Sequence, residues 1–180
     1  MIKTLYEKFQ PWSDGANIWF VSDTHFDNPD CGHIDPDWPT PKEHVKLINH
    51  AMKKNDTLVH LGDVGDPKYI KWIDGKRKIL ITGNHDLGAS KYVDYFDEIY
   101  TGPLIIAEKI ILSHEPVDVS WAFNIHGHVH RKEYLGDTHH LNLAANVVGF
   151  QPVSLKNLIT SGVLANITSL HRLTIDAASV

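Results

Sequence analysis

Five apolar runs of the chain each end at a cluster of aspartate, asparagine or histidine residues. The runs are rich in β-branched side chains, which favours buried strands. Because the carboxyl ends of strands in an open α/β sheet line the ligand crevice, the five clusters can converge there. The runs and the residues after them are IWFVS before Asp23-Thr24-His25, TLVHL before Gly62-Asp63, KILIT before Gly83-Asn84-His85-Asp86, IILS before His114, and FNIH before Gly127-His128-Val129-His130.

Strands alternate with helical segments in the first half of the chain, which is the pattern of a parallel α/β unit. After about residue 103 the strands follow one another more closely, and this favours an antiparallel portion. The tail, 158–180, is interpreted as a helix or as a helix with a short strand. Predicted strands are 18–22, 57–61, 78–82, 110–113, 123–126, 141–145 and 152–155, and predicted helices are 41–54, 67–74 and 90–100.

Composition limits the class of protein. A chain of 180 residues and 20.3 kDa without an internal repeat suits one domain over residues 1–180. The net charge of -5 argues against a nucleic-acid coat or a membrane-surface protein. The single cysteine, Cys31, excludes an intramolecular disulfide and fits a reducing compartment. The N-terminus is unlike a signal peptide, and no apolar run approaches the roughly 20 residues that span a bilayer. With the single cysteine, these features predict a cytoplasmic location.

The five clusters carry side chains that bind divalent transition metals. Asp23 and His25 are two residues apart, as are His128 and His130, so each pair lies on one side of an extended chain. Carboxylates, an amide oxygen and imidazoles that face one crevice suit two such metals. Each cluster alone is compatible with a turn or a helix cap, but five at successive strand ends are poorly explained as independent turns. Glycines that allow a close approach of backbone and metal stand at Gly62, Gly83 and Gly127.

In these residues the sequence resembles the calcineurin-like metallophosphoesterase superfamily, and within it the small single-domain bacterial and phage phosphoesterases. The family signature, D-x-H, G-D, G-N-H-[DE], H and G-H-x-H, is present in family order from Asp23 to His130. An SDTHF opening at Ser22 and a closing N…PVSL from Asn142 extend the likeness. The resemblance implies an α/β fold, a four-layer α/β/β/α sandwich of two mixed β-sheets flanked by helices.

The resemblance also implies a role for each signature residue. Asp63 would bridge two divalent metal ions, which would be manganese by family resemblance, although iron, zinc and nickel also suit these ligands. His85 would act as the catalytic acid, Asp66 would orient its ring, and Asp86 would anchor the loop. The remaining implied ligands are Asp23, His25 and His130 for the first ion, and Asn84, His114 and His128 for the second.

The implied activity is hydrolysis of a small phosphodiester or phosphomonoester, nucleotides included. A metal-bridging hydroxide would attack phosphorus in line, and His85 would protonate the departing alkoxide. Pro67 stands where protein phosphatases of the superfamily carry an arginine. The lack of that arginine argues against a phosphoprotein substrate. It also gives some support to a diester substrate, because a site without the arginine has less with which to bind a doubly charged monoester.

Two other functions share parts of this pattern. A catalytically weak metal-binding scaffold or interaction module of the same fold is disfavoured, because His85 and all the implied ligands are present. A nuclease for long nucleic acid is disfavoured by the negative net charge and by the lack of a basic cluster. The expected partner is therefore a small phosphoester substrate, with no membrane and no long nucleic acid. The oligomeric state stays open, as do the roles of Asn28, His33 and Arg131.

The other histidines divide by their position in the sequence. His60 and His126 lie on predicted strands beside ligands and are candidates to orient them. The rest fall on predicted helices or turns, where structural or solvent-exposed roles are expected: His44, His50, His139, His140 and His171.

Overall fold

The computed structural model describes residues 12, 16–107, 109–165 and 167. Within this part of the chain the strands form one five-stranded and one four-stranded sheet. The strands are β1 (Ile18–Val21), β2 (Thr57–His60), β3 (Arg77–Ile81), β4 (Glu98–Tyr100), β5 (Leu104–Ala107), β6 (Ile110–Leu112), β7 (Phe123–His126), β8 (His140–Asn142) and β9 (Val153–Ser154).

Short helices connect these strands: α1 (Cys31–Ile34), α2 (Pro41–Ala51) and α3 (Leu155–Thr160), with 3-10 helices at Pro67–Trp72 and Ala89–Lys91. The sequence explains where α2 begins, because the Glu43 carboxylate accepts hydrogen bonds from the backbone N of Thr40 at 2.9 Å and from its Oγ1 at 2.6 Å. Pro41 follows at the first helical position, which proline favours. No helix in the described ranges is long and apolar enough to cross a membrane.

The first sheet has the strand order β4-β3-β2-β1-β9. Strands β1 to β4 are parallel to their neighbours, and β9 is antiparallel to β1. The carboxyl ends of β1, β2 and β3 therefore lie at one edge. Asp23, Asp63 and Asn84 follow these three ends, as the sequence predicts.

The second sheet has the order β5-β6-β7-β8, and the prediction of an antiparallel portion is only partly correct. Strand β5 is antiparallel to β6, but β6, β7 and β8 are parallel. The long connections 113–122 and 127–139 let the chain return to the edge from which it started, which a parallel pair requires. A bridge between Ser22 and Ala144 joins the two sheets beside the ends of β1 and β8.

The helix predicted over 90–100 is wrong. A 3-10 turn ends at Lys91, and β4 then pairs with β3. Tyr92 and Phe96 are buried in the apolar cluster beneath the sheet. The Asp97 carboxylate accepts a hydrogen bond from the backbone N of Lys78 at 2.7 Å, which holds the start of β4 beside β3. This pairing with a distant strand outweighs the local helical pattern. Strand β5 was likewise not among the predicted strands.

The apolar core lies on both faces of the first sheet, since side chains alternate along each strand. One cluster fills the space between the two sheets and includes Phe20, Leu61, Ile81, Leu112 and Ile125. The other packs the opposite face against α2 and the 3-10 helix, and includes Val45, Ile48, Leu58, Ile70 and Leu80. The protein is thus an α/β structure of two mixed sheets with flanking helices, as the resemblance implies.

Candidate metal centre

The loops that follow β1, β2 and β7 hold their polar residues in an unusual backbone conformation. The φ angles of Asp23, His25, Asp63 and His128 are 52°, 41°, 57° and 67°. A left-handed conformation costs a residue other than glycine on the order of 1–3 kcal/mol, and such strain clusters at functional sites. The first two loops continue the sheet pairing beyond the strands, because the backbone N of Asp23 donates to the Gly62 carbonyl at 2.9 Å.

Asp86 ties these loops together. Its carboxylate accepts hydrogen bonds from the backbone N of Asp63 at 2.9 Å, of Val64 at 2.9 Å and of Gly83 at 2.8 Å. The Tyr92 hydroxyl donates to the same carboxylate at 2.9 Å. The expected anchoring role of Asp86 is confirmed, and its contact with Tyr92 is a feature that the sequence did not indicate.

The implied ligands of the first ion lie together. Atoms of Asp23, His25 and His130 that can bind a metal are all within 4.8 Å of one another. His130 Nε2 is 3.6 Å from Asp23 Oδ1. The rings of His25 and His130 have centroids 5.4 Å apart.

The implied ligands of the second ion are closer still. Asn84 Oδ1 is 2.9 Å from His114 Nε2 and 3.0 Å from His128 Nδ1. His114 Nε2 and His128 Nδ1 are 3.2 Å apart. Two atoms that bind one ion at about 2.1 Å in tetrahedral geometry are roughly 3.4 Å apart, so these separations fit a shared ion.

Asp63 lies between the two sets. Its Oδ2 is 3.6 Å from His25 Nε2 and 3.4 Å from His114 Nε2, one histidine from each set. Its Oδ1 accepts a hydrogen bond from the backbone N of His85 at 2.9 Å. Asp23 also has a carboxylate oxygen within 4.8 Å of ligand atoms of Asp63 and His114, so it adjoins both sets.

Neighbouring groups turn the histidines toward the centre. His114 Nδ1 donates to the Leu61 carbonyl at 2.9 Å, which leaves Nε2 for a metal. His130 Nδ1 donates to Asn146 Oδ1 at 2.8 Å, and Asn146 Nδ2 donates back to the His130 carbonyl at 3.0 Å. Such contacts orient metal-binding imidazoles. Sequence reasoning missed Asn146, although it follows an apolar run just as the other polar residues do.

Two pairs of metal-binding atoms in the site each require a proton or a cation between them. With Nδ1 donating, the Nε2 lone pair of neutral His114 faces Asp63 Oδ2, and that of neutral His130 faces Asp23 Oδ1. Two electron-rich atoms that face each other in a nearly buried site are unfavourable unless a positive charge lies between them. Divalent ions meet this requirement at both places, and the residues therefore fit a metal centre.

Burial, hydrogen bonds and nearby charges shift the pKa values of three of the implied ligands. Burial lowers the pKa of His25 despite the nearby charges of Asp23 and Asp63. Burial acts to raise the pKa of Asp63, but its bonds to His114 and His85 outweigh it and lower the pKa to about 2. Burial acts to lower the pKa of His114, but the hydrogen bond to Asp63 and nearby carboxylate charges outweigh it and raise the pKa, so His114 favours a proton that metal binding would displace. A neutral His25 and a charged Asp63 are the forms that bind metal.

Two glycines allow this packing, as expected from the sequence. A Cβ at Gly127 would overlap Ser22 Oγ and Asp23 Oδ2. A Cβ at Gly83 would overlap Asp63 Oδ1. Any larger residue at either position would displace a carboxylate of the centre.

His85 and Asp66, the two implied catalytic residues, are not in contact. The imidazole of His85 is exposed, lies 5.6 Å from the ring of His25, and makes no hydrogen bond within the described part of the chain. Asp66 instead begins the 3-10 helix at Pro67, where its carboxylate accepts from the backbone N of Lys68 at 3.0 Å and pairs with Lys68 Nζ at 2.6 Å. The implied hydrogen bond between His85 and Asp66 is therefore absent. The reason is that the first turn of this helix supplies both a donor and a cation for Asp66.

The residues left open by the sequence have local or solvent-exposed positions. Asn28 Oδ1 accepts from the backbone N of Asp30 at 3.0 Å, a local turn contact, and His33 and Arg131 are exposed. A residue that sequence reasoning missed is Trp38. Its ring lies 6.0 Å from that of His25 and 5.8 Å from that of His130.

Comparisons with known proteins agree with this geometry. Residues 16–172 match the family model of the calcineurin-like phosphoesterases. The crystal structure of AQ665 from Aquifex aeolicus, a protein of unknown function, is similar to this one with a TM-score of 0.67 and 28% identity. The match covers 81% of this chain and 99% of that chain. No curated protein matches the sequence. Since the family model spans most of the chain, the protein belongs to the calcineurin-like phosphoesterase family.

Proposed function

We propose that the protein is a phosphoesterase that uses two divalent metal ions, manganese in the first instance, to hydrolyse a small phosphodiester or phosphomonoester. The observation that carries this proposal is the position of Asp63. Its Oδ2 faces His25 Nε2 at 3.6 Å and His114 Nε2 at 3.4 Å, which is the arrangement that one carboxylate shared by two ions would have.

The residues that would hold the ions are the seven that the sequence singles out. When bound, two ions neutralise the phosphate charge and lower the pKa of water, so that hydroxide is available near neutral pH. Asp63 would be shared between them. Asp23, His25 and His130 would complete one side, and Asn84, His114 and His128 the other.

We propose His85 as the acid that protonates the departing alkoxide. Its imidazole is exposed beside His25 and has no partner in the described part of the chain, so a substrate can reach it. Its backbone is fixed, because the His85 N–H donates to Asp63 Oδ1 at 2.9 Å. Asp66, which pairs with Lys68, is proposed to hold the neighbouring turn instead of the His85 ring.

The proposal includes a cytoplasmic location, a single domain over residues 1–180 and no long nucleic-acid partner. The net charge of -5 and the single, buried cysteine support it.

The test measures metal content and turnover in the same samples. Metal-stripped protein is supplied with manganese, zinc, nickel or iron, and is assayed on aryl phosphomonoesters, aryl diesters and cyclic nucleotides. Asp63→Asn is expected to lose metal and turnover. His85→Ala is expected to keep its metal and lose roughly 10²–10⁴-fold in turnover. His50→Ala is the matched control, because His50 is exposed on α2.

A protein that binds two ions per chain but turns over no ester with any metal would contradict the proposal and favour a metal-binding scaffold. Unchanged turnover in His85→Ala would remove His85 from the mechanism. Loss of activity in the His50→Ala control would show that the assay reports stability and not chemistry.

A further inference from the structure

Two cavities adjoin the candidate metal centre, one beside each ligand set. The first encloses about 220 Å³ and reaches His25. The second encloses about 330 Å³ and reaches Asn84 and His114. Because the two cavities lie beside different ligand sets, each can receive one substituent of a phosphate bound at the centre. A phosphodiester has two substituents on phosphorus, whereas a monoester has one.

Trp38 forms an aromatic wall of the first cavity. It lines that cavity together with His25 and Phe26. Its ring lies 6.0 Å from the ring of His25 and 5.8 Å from the ring of His130. The side chain is only partly buried, so part of the indole is accessible. An accessible indole stacks on planar groups such as nucleobases, with little dependence on the base.

The wall is held in place before any ligand arrives. The ring of Phe150 lies 5.3 Å from that of Trp38, and the backbone N of Trp38 donates to the Asp35 carbonyl at 3.0 Å. Asp35 is 1% exposed, and its carboxylate pairs with Lys132 Nζ at 2.7 Å. Lys132 follows His130 closely in the chain, so this ion pair connects the loop of Trp38 to a ligand segment. A wall that is already ordered loses little entropy when a group stacks on it.

The second cavity has a different character. The residues lining it include Thr82, Thr101 and Glu115, which carry hydroxyl and carboxylate groups. Hydroxyl-bearing substituents such as sugars can exchange hydrogen bonds with these groups. The Glu115 carboxylate would repel a second phosphate.

We infer that the substrate is a phosphodiester of a nucleoside, with its base stacked on Trp38 in the first cavity and a hydroxyl-bearing alcohol in the second. This inference rests on the proposed function and extends it to a substrate class. It makes Trp38 a specificity-determining residue and ranks diesters above monoesters.

The test compares Trp38→Ala and Trp38→Phe with wild type, and uses Trp72→Ala as the matched control, because Trp72 is 51% exposed on the 3-10 helix. The manganese-loaded proteins are assayed on a dinucleoside monophosphate, on glycerophosphoglycerol as a diester without a planar group, and on AMP. Binding of the dinucleoside monophosphate is measured separately by calorimetry in the slow His85→Ala background. Metal content is determined for every protein.

Wild type is expected to prefer the dinucleoside monophosphate. Trp38→Ala should lower kcat/KM for it by at least fivefold and up to roughly 100-fold, as loss of one base–aromatic stack does, chiefly through KM. Turnover of glycerophosphoglycerol should not change. Trp38→Phe should retain most of the activity, and Trp72→Ala all of it.

Equal losses on both diesters would overturn the inference, because they would show a general structural role of Trp38. Faster turnover of AMP would overturn the diester ranking and leave the proposed function standing. Absence of any turnover would instead contradict the proposed function. In that case the affinity measured by calorimetry tests the base subsite on its own. An affinity that is unchanged in Trp38→Ala would refute stacking of the base on Trp38.

Discussion

Replacing Asp86 with alanine is expected to destabilise the protein by about 3–7 kcal/mol. The Asp86 carboxylate accepts three backbone hydrogen bonds, from Asp63 at 2.9 Å, Val64 at 2.9 Å and Gly83 at 2.8 Å. Asp63 and Val64 are 2% and 0% exposed, so water cannot replace the lost acceptor. Each buried donor left without a partner costs about 1–3 kcal/mol, and the bond to Gly83 adds about 1 kcal/mol. The sum is a large part of the roughly 5–15 kcal/mol that stabilises a typical domain.

The measurement is urea unfolding of metal-free protein, followed by the fluorescence of its five tryptophans. Omitting metal ensures that the change reflects the fold alone and not lost metal binding. With a denaturant slope of about 2 kcal/mol/M, the midpoint should fall by roughly 1.5–3.5 M. The control is Asp94→Ala, because Asp94 is exposed and makes no hydrogen bond in the described ranges. Its effect should stay within about 0.5 kcal/mol.

Asp86→Asn should lie between alanine and wild type, because it keeps one acceptor oxygen but brings an N–H toward donors. A loss below about 1 kcal/mol in Asp86→Ala, at an unchanged slope, would refute the reasoning. It would mean that the loops after β2 and β3 hold their shape without the carboxylate.

Three further changes test the surroundings of the site. His44 is buried, and burial lowers its pKa to about 4, so the unfolded state binds more protons and stability falls as pH drops from about 6.5 to 4. His44→Phe should remove that part of the pH dependence and raise the free energy of unfolding by about 1–2 kcal/mol at pH 7. Urea unfolding that shows an equal rise at pH 4.5 and pH 7 would contradict this. Gly127→Ala puts a Cβ onto Asp23 Oδ2 and should abolish metal retention on gel filtration, so normal metal content would refute the close approach. Asn146→Ala removes the acceptor for His130 Nδ1 and should weaken metal binding roughly 10–100-fold in competition with a chelating dye; unchanged affinity would show that the ring needs no support.

Much of the site could be predicted from the sequence because its signal is local. A β-branched run predicts a buried strand, and a polar residue directly after it lies at the strand end. Asp23, Asp63 and Asn84 follow parallel neighbours, so one rule placed them at one edge. The glycines beside them could be interpreted in the same way, since close approach is a property of a missing Cβ.

The sequence by itself thus determined the residue types of the centre, their order along the chain and the parallel arrangement of β1, β2 and β3. Only the tertiary structure decided how the rest was arranged, because those features depend on contacts between distant segments. It pairs β4 with β3 where a helix was expected, and it makes β6, β7 and β8 parallel. It also places the Asp66 carboxylate in an ion pair with Lys68 instead of in contact with His85. It also brings Asn146 to His130 and sets Trp38 against the first ligand set. No periodicity encodes such pairings, since the free energy of a hydrogen bond or a ring contact depends on where two elements pack and not on the residues next to them in the chain.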